Sequence, residues 1–476
     1  MTHYDIALIG SGSANSLPGP DLSESTIVQI DRGVGPDHLF GGTCLNLGCI
    51  PTKMFVHTAN LAATPARSGR FGVDETLDAV RWRDVRDRIF GRIDPLSAGG
   101  EEYRAHHEDN ANLTLLRGTA RFTRPASEGL HHLRVELADG RTEEITAGTV
   151  VIGAGSRPTI PPVAGLAEAR PLTSDTVMRI DELPASIAIL GSGVIAAELA
   201  HVLASFGVEV TIIARGDRLL RRADADVSSR LTEVLSARMH VVTGFHATRV
   251  ERDDEGVRIH GERGGAATTF RAAELLVATG RTPNADLVDA TAAGIDVSED
   301  GRIEVDPFQR VLAGGEVLPG AWALGDVSSP HQLKHVANHE LRIVRHNLRH
   351  PEQLRRSDEM PVAYGVFSSP QVAAVGMTET EARATGRTVR VAVQEYASIA
   401  YGWAMEDTTG FAKILVDADS ELFLGAHIIG PEATSLIQLI TQAMSTGQRP
   451  RDIAATQYWI HPAMPELIEN ALLQLV

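Results

Sequence analysis

Cys44 and Cys49 are the only two cysteines of the 476-residue chain, and they stand five apart in Gly41-Gly42-Thr43-Cys44-Leu45-Asn46-Leu47-Gly48-Cys49-Ile50-Pro51-Thr52-Lys53. A dithiol at this spacing can exchange with external disulfides if the backbone lets its sulfurs meet. Five residues of unbroken helix rise about 7.5 Å, at or beyond the reach of a relaxed disulfide, so the segment must bend. Gly48 and Pro51 are suited to bend it, Pro51 because it lacks an N–H and crowds the carbonyl of residue 47. Lys53 follows Cys49 by four residues and shares its face once a helix has resumed, where its charge favours a thiolate. Lysine occurs only at Lys53, Lys334 and Lys413, so a surface-filler role for Lys53 is the weaker reading.

Two glycine-rich turns could cradle phosphates. Gly10-Ser11-Gly12-Ser13-Ala14-Asn15 follows the apolar run Tyr4-Asp5-Ile6-Ala7-Leu8-Ile9, and Asp31 ends the next such run, where a carboxylate suits a ribose diol. Asn15 takes the third small position, and Pro18-Gly19-Pro20 interrupts the helix that should follow, so a ligand-free turn remains an alternative here. Gly191-Ser192-Gly193-Val194-Ile195-Ala196 is the cleaner fingerprint, set between Ile187-Ala188-Ile189-Leu190 and a helical run containing Glu198. Its following strand ends in Ala214-Arg215, with Arg218, Arg221 and Arg222 close behind. Guanidinium forks at that position match a 2′-phosphate and point to NADPH rather than NADH, the alternative being a solvated basic loop.

Other side chains carry weaker signals. His331, His335 and His339 recur every four residues, as metal ligands on one helix face would, but no cysteine or carboxylate cluster completes a site. No metal is expected. His106-His107 and His131-His132 read as surface pairs. Tyr401, Trp403 and Trp459 read as core or interface aromatics, with substrate contact as the alternative.

The elements that must position these residues form an alternating pattern. Short β-branched runs, among them Val150-Val151-Ile152, Val210-Thr211-Ile212-Ile213 and Leu275-Leu276-Val277, alternate with helical stretches, which predicts parallel sheets covered by helices. Two nucleotide turns about 180 residues apart predict two doubly wound units in an α/β chain. Gly118 to Val150 reads as a β-meander turning at Asp139-Gly140, and a third, α+β region without a nucleotide turn opens near Phe367-Ser368-Ser369-Pro370. A net charge of -17 without long runs of one sign argues against a nucleic-acid or anionic-membrane partner. There is no apolar stretch of about 18 residues and no leader-like segment before Tyr4, so a cytoplasmic protein is expected. In a reducing compartment, two cysteines this close read as a working redox pair rather than a structural staple.

The dithiol segment resembles the CxxxxC active-site helix of the glutathione-reductase-like pyridine nucleotide–disulfide oxidoreductases. Gly118-Thr119-Ala120 resembles that family's adenine-contacting turn, Val151 to Pro158 and Val277 to Asn284 its domain-crossing turns, and Ala323-Leu324-Gly325-Asp326 its second FAD motif. His461-Pro462-Ala463-Met464-Pro465-Glu466 resembles the interface motif whose His–Glu pair serves the dithiol of the other subunit. Within the family, Phe90 to Pro95, Ser174 to Ile180, Leu333 to Glu340, Tyr401 to Asp407 and Tyr458 to Pro462 are similar to the mycothione reductases.

The resemblance implies a homodimer with shared sites that uses FAD and NADPH to reduce mycothione, the disulfide of mycothiol. Cys49 would face the flavin, Cys44 would attack substrate, His461 oriented by Glu466 would move the proton, and Lys53 would pair with Glu198 beside the flavin. FAD would be held by Gly10, Gly12, Asp31, Gly42, Thr43, Lys53, Ala120, Arg281, Gly325 and Asp326, and NADPH by Gly191, Gly193, Ala196, Arg215, Arg221 and Gly280. The implied division is an FAD domain over 1–157, an NADPH domain over 158–283, a return to the FAD domain over 284–350 and a dimerisation domain over 351–476. Glutathione reductase and dihydrolipoamide dehydrogenase are the alternatives; the latter uses NAD and would carry an acid near Arg215. Mercuric reductase would need further C-terminal cysteines, and a redox-silent flavoprotein would not need Cys44, Cys49 and His461 together.

Overall fold

The strand Thr2–Ile9 buries Ile6, Ala7, Leu8 and Ile9 in succession because it lies between two parallel neighbours and is covered on both faces. Its partners are Ile27–Asp31 and Thr142–Ile152, and the computed structural model, which describes residues 1–476, builds a seven-stranded sheet around them. Leu113–Ser127 pairs in parallel with Ile27–Asp31 at its start, then antiparallel with Leu130–Leu137, which in turn pairs with Thr142–Ile152. This is the meander expected from Gly118 onward. It reverses once through Ala138 to Arg141 and once through Glu128 and Gly129, a turn that alternation alone did not mark.

A second parallel sheet orders its strands as Glu274–Val277, Ser186–Leu190, Glu209–Ile213 and His240–Val242, beside a three-stranded antiparallel sheet spanning Phe245 to Ala272. The chain crosses between the two units twice, and the crossings pair as the short ribbon Ser156–Pro158 with Arg281–Pro283. It then rejoins the first sheet through Glu316–Ala323, parallel to Thr142–Ile152, and covers that sheet with the helix Lys334–Arg349 through Leu341 and Val344. The C-terminal region is a five-stranded antiparallel sheet from Ala363 to Gly430, packed against the helices Ala433–Ser445 and Glu466–Leu473. The fold is thus α/β, with two doubly wound units and an α+β C-terminal unit. No helix is long and apolar enough to cross a membrane.

Several local expectations need correction. His131 and His132 are buried, not a surface pair, because Leu130–Leu137 is the middle strand of the meander and His131 is also met by the Glu316–Ala323 strand. His131 Nε2 meets the Pro319 carbonyl at 3.0 Å, His132 Nε2 meets Ser127 Oγ at 2.8 Å, and burial pushes both imidazoles below their ordinary pKa. Gly118-Thr119-Ala120 lies within a strand rather than a turn, and a Cβ on Gly118 would meet the Glu136 carbonyl oxygen at 2.4 Å. His331 precedes the helix that carries His335 and His339, so the three do not form one helical stripe. Tyr401 and Trp403 are exposed on the short helix Ala400–Met405, which removes the core reading for both, whereas Trp459 packs partly buried against the C-terminal core.

Candidate active site

The cysteines meet because the helix stops between them. Gly42–Asn46 is a single helical segment, Leu47 and Gly48 leave helical geometry (ψ −1° and −114°), and a new helix runs over Cys49–Ala62. Asn46 Nδ2 locks the first segment by donating to the carbonyls of Phe40 at 2.7 Å and Gly42 at 3.1 Å. Thr52 Oγ1 locks the second by donating to Gly48 O at 2.6 Å. Pro51 therefore does not make the bend. It is the third residue of the new helix, in the first turn, where a missing N–H has no intrahelical acceptor to leave bare.

Both cysteines are free thiols and stand as a near pair across the break. The neighbouring Cys44 thiol, aided by the charge of Lys53, holds the Cys49 thiol down to about 7 against burial and the charge of Glu198. The neighbouring Cys49, with burial, pushes the Cys44 thiol up. In the reduced pair Cys49 is thus the more readily ionised sulfur and Cys44 holds its proton more tightly.

Lys53 lies one turn beyond Cys49, and its Nζ reaches Glu198 Oε1 at 2.6 Å and Oε2 at 2.7 Å. Glu198 is 4 % exposed and sits in the first turns of Val194–Ser205, the helix that starts at the second glycine-rich turn. Glu198 Oε1 also accepts from the backbone N–H of Phe367 at 2.8 Å, and Lys53 Nζ stands 4.6 Å over the Phe367 ring. Phe367 was visible in the sequence only as the opening of the last region. Its part in this junction depends on the tertiary fold.

At the first turn, Gly10 has φ +105°, and a Cβ there would meet the Gly153 carbonyl oxygen at 2.4 Å. A Cβ on Gly42 would lie 2.6 Å from Gly12 Cα, so the turn abuts the first residue of the dithiol segment, next to Thr43. Asp31 accepts from Ser11 N and Gly33 N, both at 3.1 Å, and burial pushes its carboxyl up. Pro18-Gly19-Pro20 does interrupt the helix: only single 3-10 turns, Ser13–Ser16 and Pro20–Leu22, form there. Asn15 is a structural hub, with Oδ1 accepting from Gln29 Nε2 at 3.0 Å and Arg104 Nε at 3.2 Å. Ala120 lies in the apolar cluster of the first sheet and makes no hydrogen bond to this turn outside its strand pairing.

Around Asp326, Ser156 Oγ donates to Oδ2 at 2.6 Å, and Arg281 donates to Ser156 Oγ and O, both at 2.7 Å. Gly325 N donates to the buried Glu340 Oε2 at 2.7 Å. Lys334 Nζ donates to Ser13 Oγ at 2.9 Å and its charge acts on Cys44. Ser156, Glu340 and Lys334 all lay in or beside noted segments, but only the fold brings them to the site.

The second turn has Gly191 at φ +147°, where a Cβ would meet the Ala278 carbonyl oxygen at 2.2 Å. No side chain caps the helix start at Gly193, which leaves the N–H groups around Val194 to Ala196 free for an anion. Gly280, at φ +143°, follows the neighbouring strand Glu274–Val277. Arg215 and Arg221 are exposed after Glu209–Ile213, and neither has a carboxylate partner within 4.0 Å. His461 Nδ1 is hydrogen-bonded to Glu466 Oε1, and no hydrogen bond joins His461 to a cysteine of its own chain.

Two family descriptions match this chain: pyridine nucleotide-disulphide oxidoreductase over residues 4–342, and the dimerisation domain of the same class over residues 362–472. Mycothione reductase from Mycobacterium tuberculosis is 47 % identical over 479 residues, covering 100 % of both chains. Dihydrolipoyl dehydrogenase from Bacillus subtilis is 30 % identical, covering 99 % of this chain and 98 % of its own. The solved HOCl-induced flavoprotein disulfide reductase RclA from Escherichia coli, as its Cu(II) complex, superposes with a TM-score of 0.84 at 27 % identity over 100 % of both chains.

The two members of the Lys53–Glu198 pair act on Cys49 with opposite sign, and this can be measured. Lys53→Met should raise the Cys49 pKa above about 7, and Glu198→Gln should lower it. A pH titration of ultraviolet thiolate absorbance in the reduced protein checks both. Shifts of the same sign would contradict the geometry.

Proposed function

The chain belongs to the pyridine nucleotide–disulphide oxidoreductase family, and from that premise we propose that it reduces mycothiol disulfide with NADPH. The observation that carries this reading is the free Cys44–Cys49 near pair, with a low Cys49 thiol, in a chain that matches a mycothione reductase over its full length. The family uses FAD and a pyridine nucleotide. The residues present fit both: a backbone cradle at Gly10 and Gly12 with Asp31 beyond it, and a second cradle at Gly191 and Gly193. Gly42, Thr43, Ala120, Arg281, Gly325 and Asp326 complete the first proposed set, and Ala196 and Gly280 the second.

A bound flavin supplies the two-electron link between the nicotinamide and the Cys44–Cys49 disulfide. In the reduced pair, Cys44 loses its proton to His461 of the other subunit and attacks one substrate sulfur. The substrate S–S bond breaks, a mixed disulfide forms on Cys44, and His461 returns the proton to the departing thiolate. The Cys49 thiolate then attacks Cys44, the second thiol leaves with a proton from solvent, and the protein disulfide is restored. Glu466 fixes the imidazole of His461, and Lys53 stabilises the Cys49 thiolate. The match to a dimerisation domain and the exposed position of His461 support a homodimer with shared sites. A low-pKa dithiol that must be reduced to work supports a cytoplasmic setting.

Arg215 and Arg221, without acidic partners, favour a 2′-phosphate and hence NADPH over NADH. Assays of the purified dimer with either nucleotide against mycothiol disulfide, glutathione disulfide and lipoamide test the reading. The mycothiol disulfide–NADPH pair should give the highest kcat/KM, and a preference for lipoamide with NADH would overturn it. Arg215→Glu should weaken NADPH recognition by about 1.5–3 kcal/mol, the scale of a charge-assisted hydrogen bond. His461→Ala should slow disulfide turnover by about a hundredfold or more, the scale of a lost general acid–base, while rapid-mixing traces show NADPH oxidation nearly unchanged.

A further inference from the structure

Lys413 is one of three lysines in the chain and is 2 % exposed. It extends from the C-terminal strand Phe411–Asp417, and its Nζ reaches Asp224 Oδ1 at 2.9 Å, Asp226 Oδ2 at 2.7 Å and Glu379 Oε2 at 2.6 Å. Each ammonium proton has a carboxylate, and the two aspartates belong to the second nucleotide unit. Asp224, also buried, caps the helix Ala225–Ser236 by accepting from Asp226 N at 3.1 Å, and its other oxygen accepts from Glu379 N at 3.1 Å. Removing Lys413 would leave Asp224 facing two other carboxylates without a counter-charge.

The helix that Asp224 caps holds the arginine loop. Ser228 Oγ donates to Leu219 O at 2.5 Å, and Leu219 N donates to Thr232 Oγ1 at 2.9 Å. Leu220, at φ +49°, donates its N–H to Ser192 O at 2.8 Å, which ties the loop to the glycine-rich turn. Arg215, Arg218, Arg221 and Arg222 therefore ride on a segment whose far end is fixed by Asp224. A separate contact, Arg230 Nη1 to Thr409 O at 2.6 Å, also joins the same helix to the C-terminal unit, independently of the lysine.

We propose that Lys413 is a positioning residue for 2′-phosphate recognition: by clamping Asp224 and Asp226 it sets the arginine loop at the height where its guanidinium groups meet the phosphate. This rests on the NADPH reading above. The experiment is calorimetric titration of the purified FAD-loaded protein with 2′,5′-ADP and with 5′-AMP, alongside KM and kcat for NADPH. Lys413→Met should weaken 2′,5′-ADP binding by about tenfold, raise KM for NADPH to match, and leave kcat and 5′-AMP binding within about twofold, since only the charge-assisted phosphate contacts are displaced. Asp226→Asn, which removes an exposed acid, should move the same way by about two- to threefold and serves if Lys413→Met does not fold. Equal losses for the two ligands, or no loss in a folded variant, overturn the proposal. A wild-type protein that binds 2′,5′-ADP no better than 5′-AMP instead removes the cofactor reading, and the proposal with it.

Discussion

Two sulfurs five residues apart can meet only where the helix between them is interrupted, and the chain meets that constraint at Leu47-Gly48. The features of the site follow from that break. The first segment carries Cys44 in its middle, close to Cys49. The second begins at Cys49 and so carries Lys53 one turn along, where its charge adds to the effect of the neighbouring Cys44 thiol in lowering the Cys49 thiol. A continuous helix would separate the sulfurs and remove the largest contribution to both shifts.

Around this break, three parts of the fold converge on one ion pair. Lys53 belongs to the dithiol helix, Glu198 to the helix of the second nucleotide turn, and the Phe367 backbone N–H, which also donates to Glu198, to the C-terminal unit. Close backbone approach between Gly12 and Gly42 ties the first nucleotide turn to the same segment. The junction therefore brings both glycine-rich turns to the dithiol segment, the arrangement that the proposed two-electron relay requires. The proposed proton carrier is a different case: His461 is bound to Glu466 but to neither cysteine of its own chain, as expected of a residue that works across a dimer axis.

Features that depend on local spacing were legible in the sequence: the dithiol, both glycine turns, the strand–helix alternation, and the interruption by Pro18-Gly19-Pro20. Features set by tertiary burial were not. His131 and His132 look polar in a short alternating strand, yet His131 meets a later strand at Pro319 and His132 turns onto Ser127 of its meander neighbour. Pro51 suggested itself as the helix breaker because proline usually is, but within a first turn it costs nothing, and the preceding Leu47-Gly48 pair does the breaking. Asn15 weakened the first fingerprint as a letter, whereas in space it gathers Gln29 and Arg104. Lys413 stood out only as a rare lysine. Its three carboxylate partners come from 34 to 189 residues away along the chain, a distance no local pattern spans.

In the proposed dimer, one working site joins the dithiol of one chain to the His461–Glu466 pair of another. The most direct measurement mixes a Cys44→Ser chain with a His461→Ala chain, each nearly inactive alone, under conditions of demonstrated subunit exchange. A heterodimer then holds one intact site, combining Cys44 and Cys49 of the His461→Ala chain with His461 of the Cys44→Ser chain. NADPH-dependent disulfide reduction should reappear as exchange proceeds. Complete exchange with no recovered activity would contradict the shared site, and with it the role assigned here to His461.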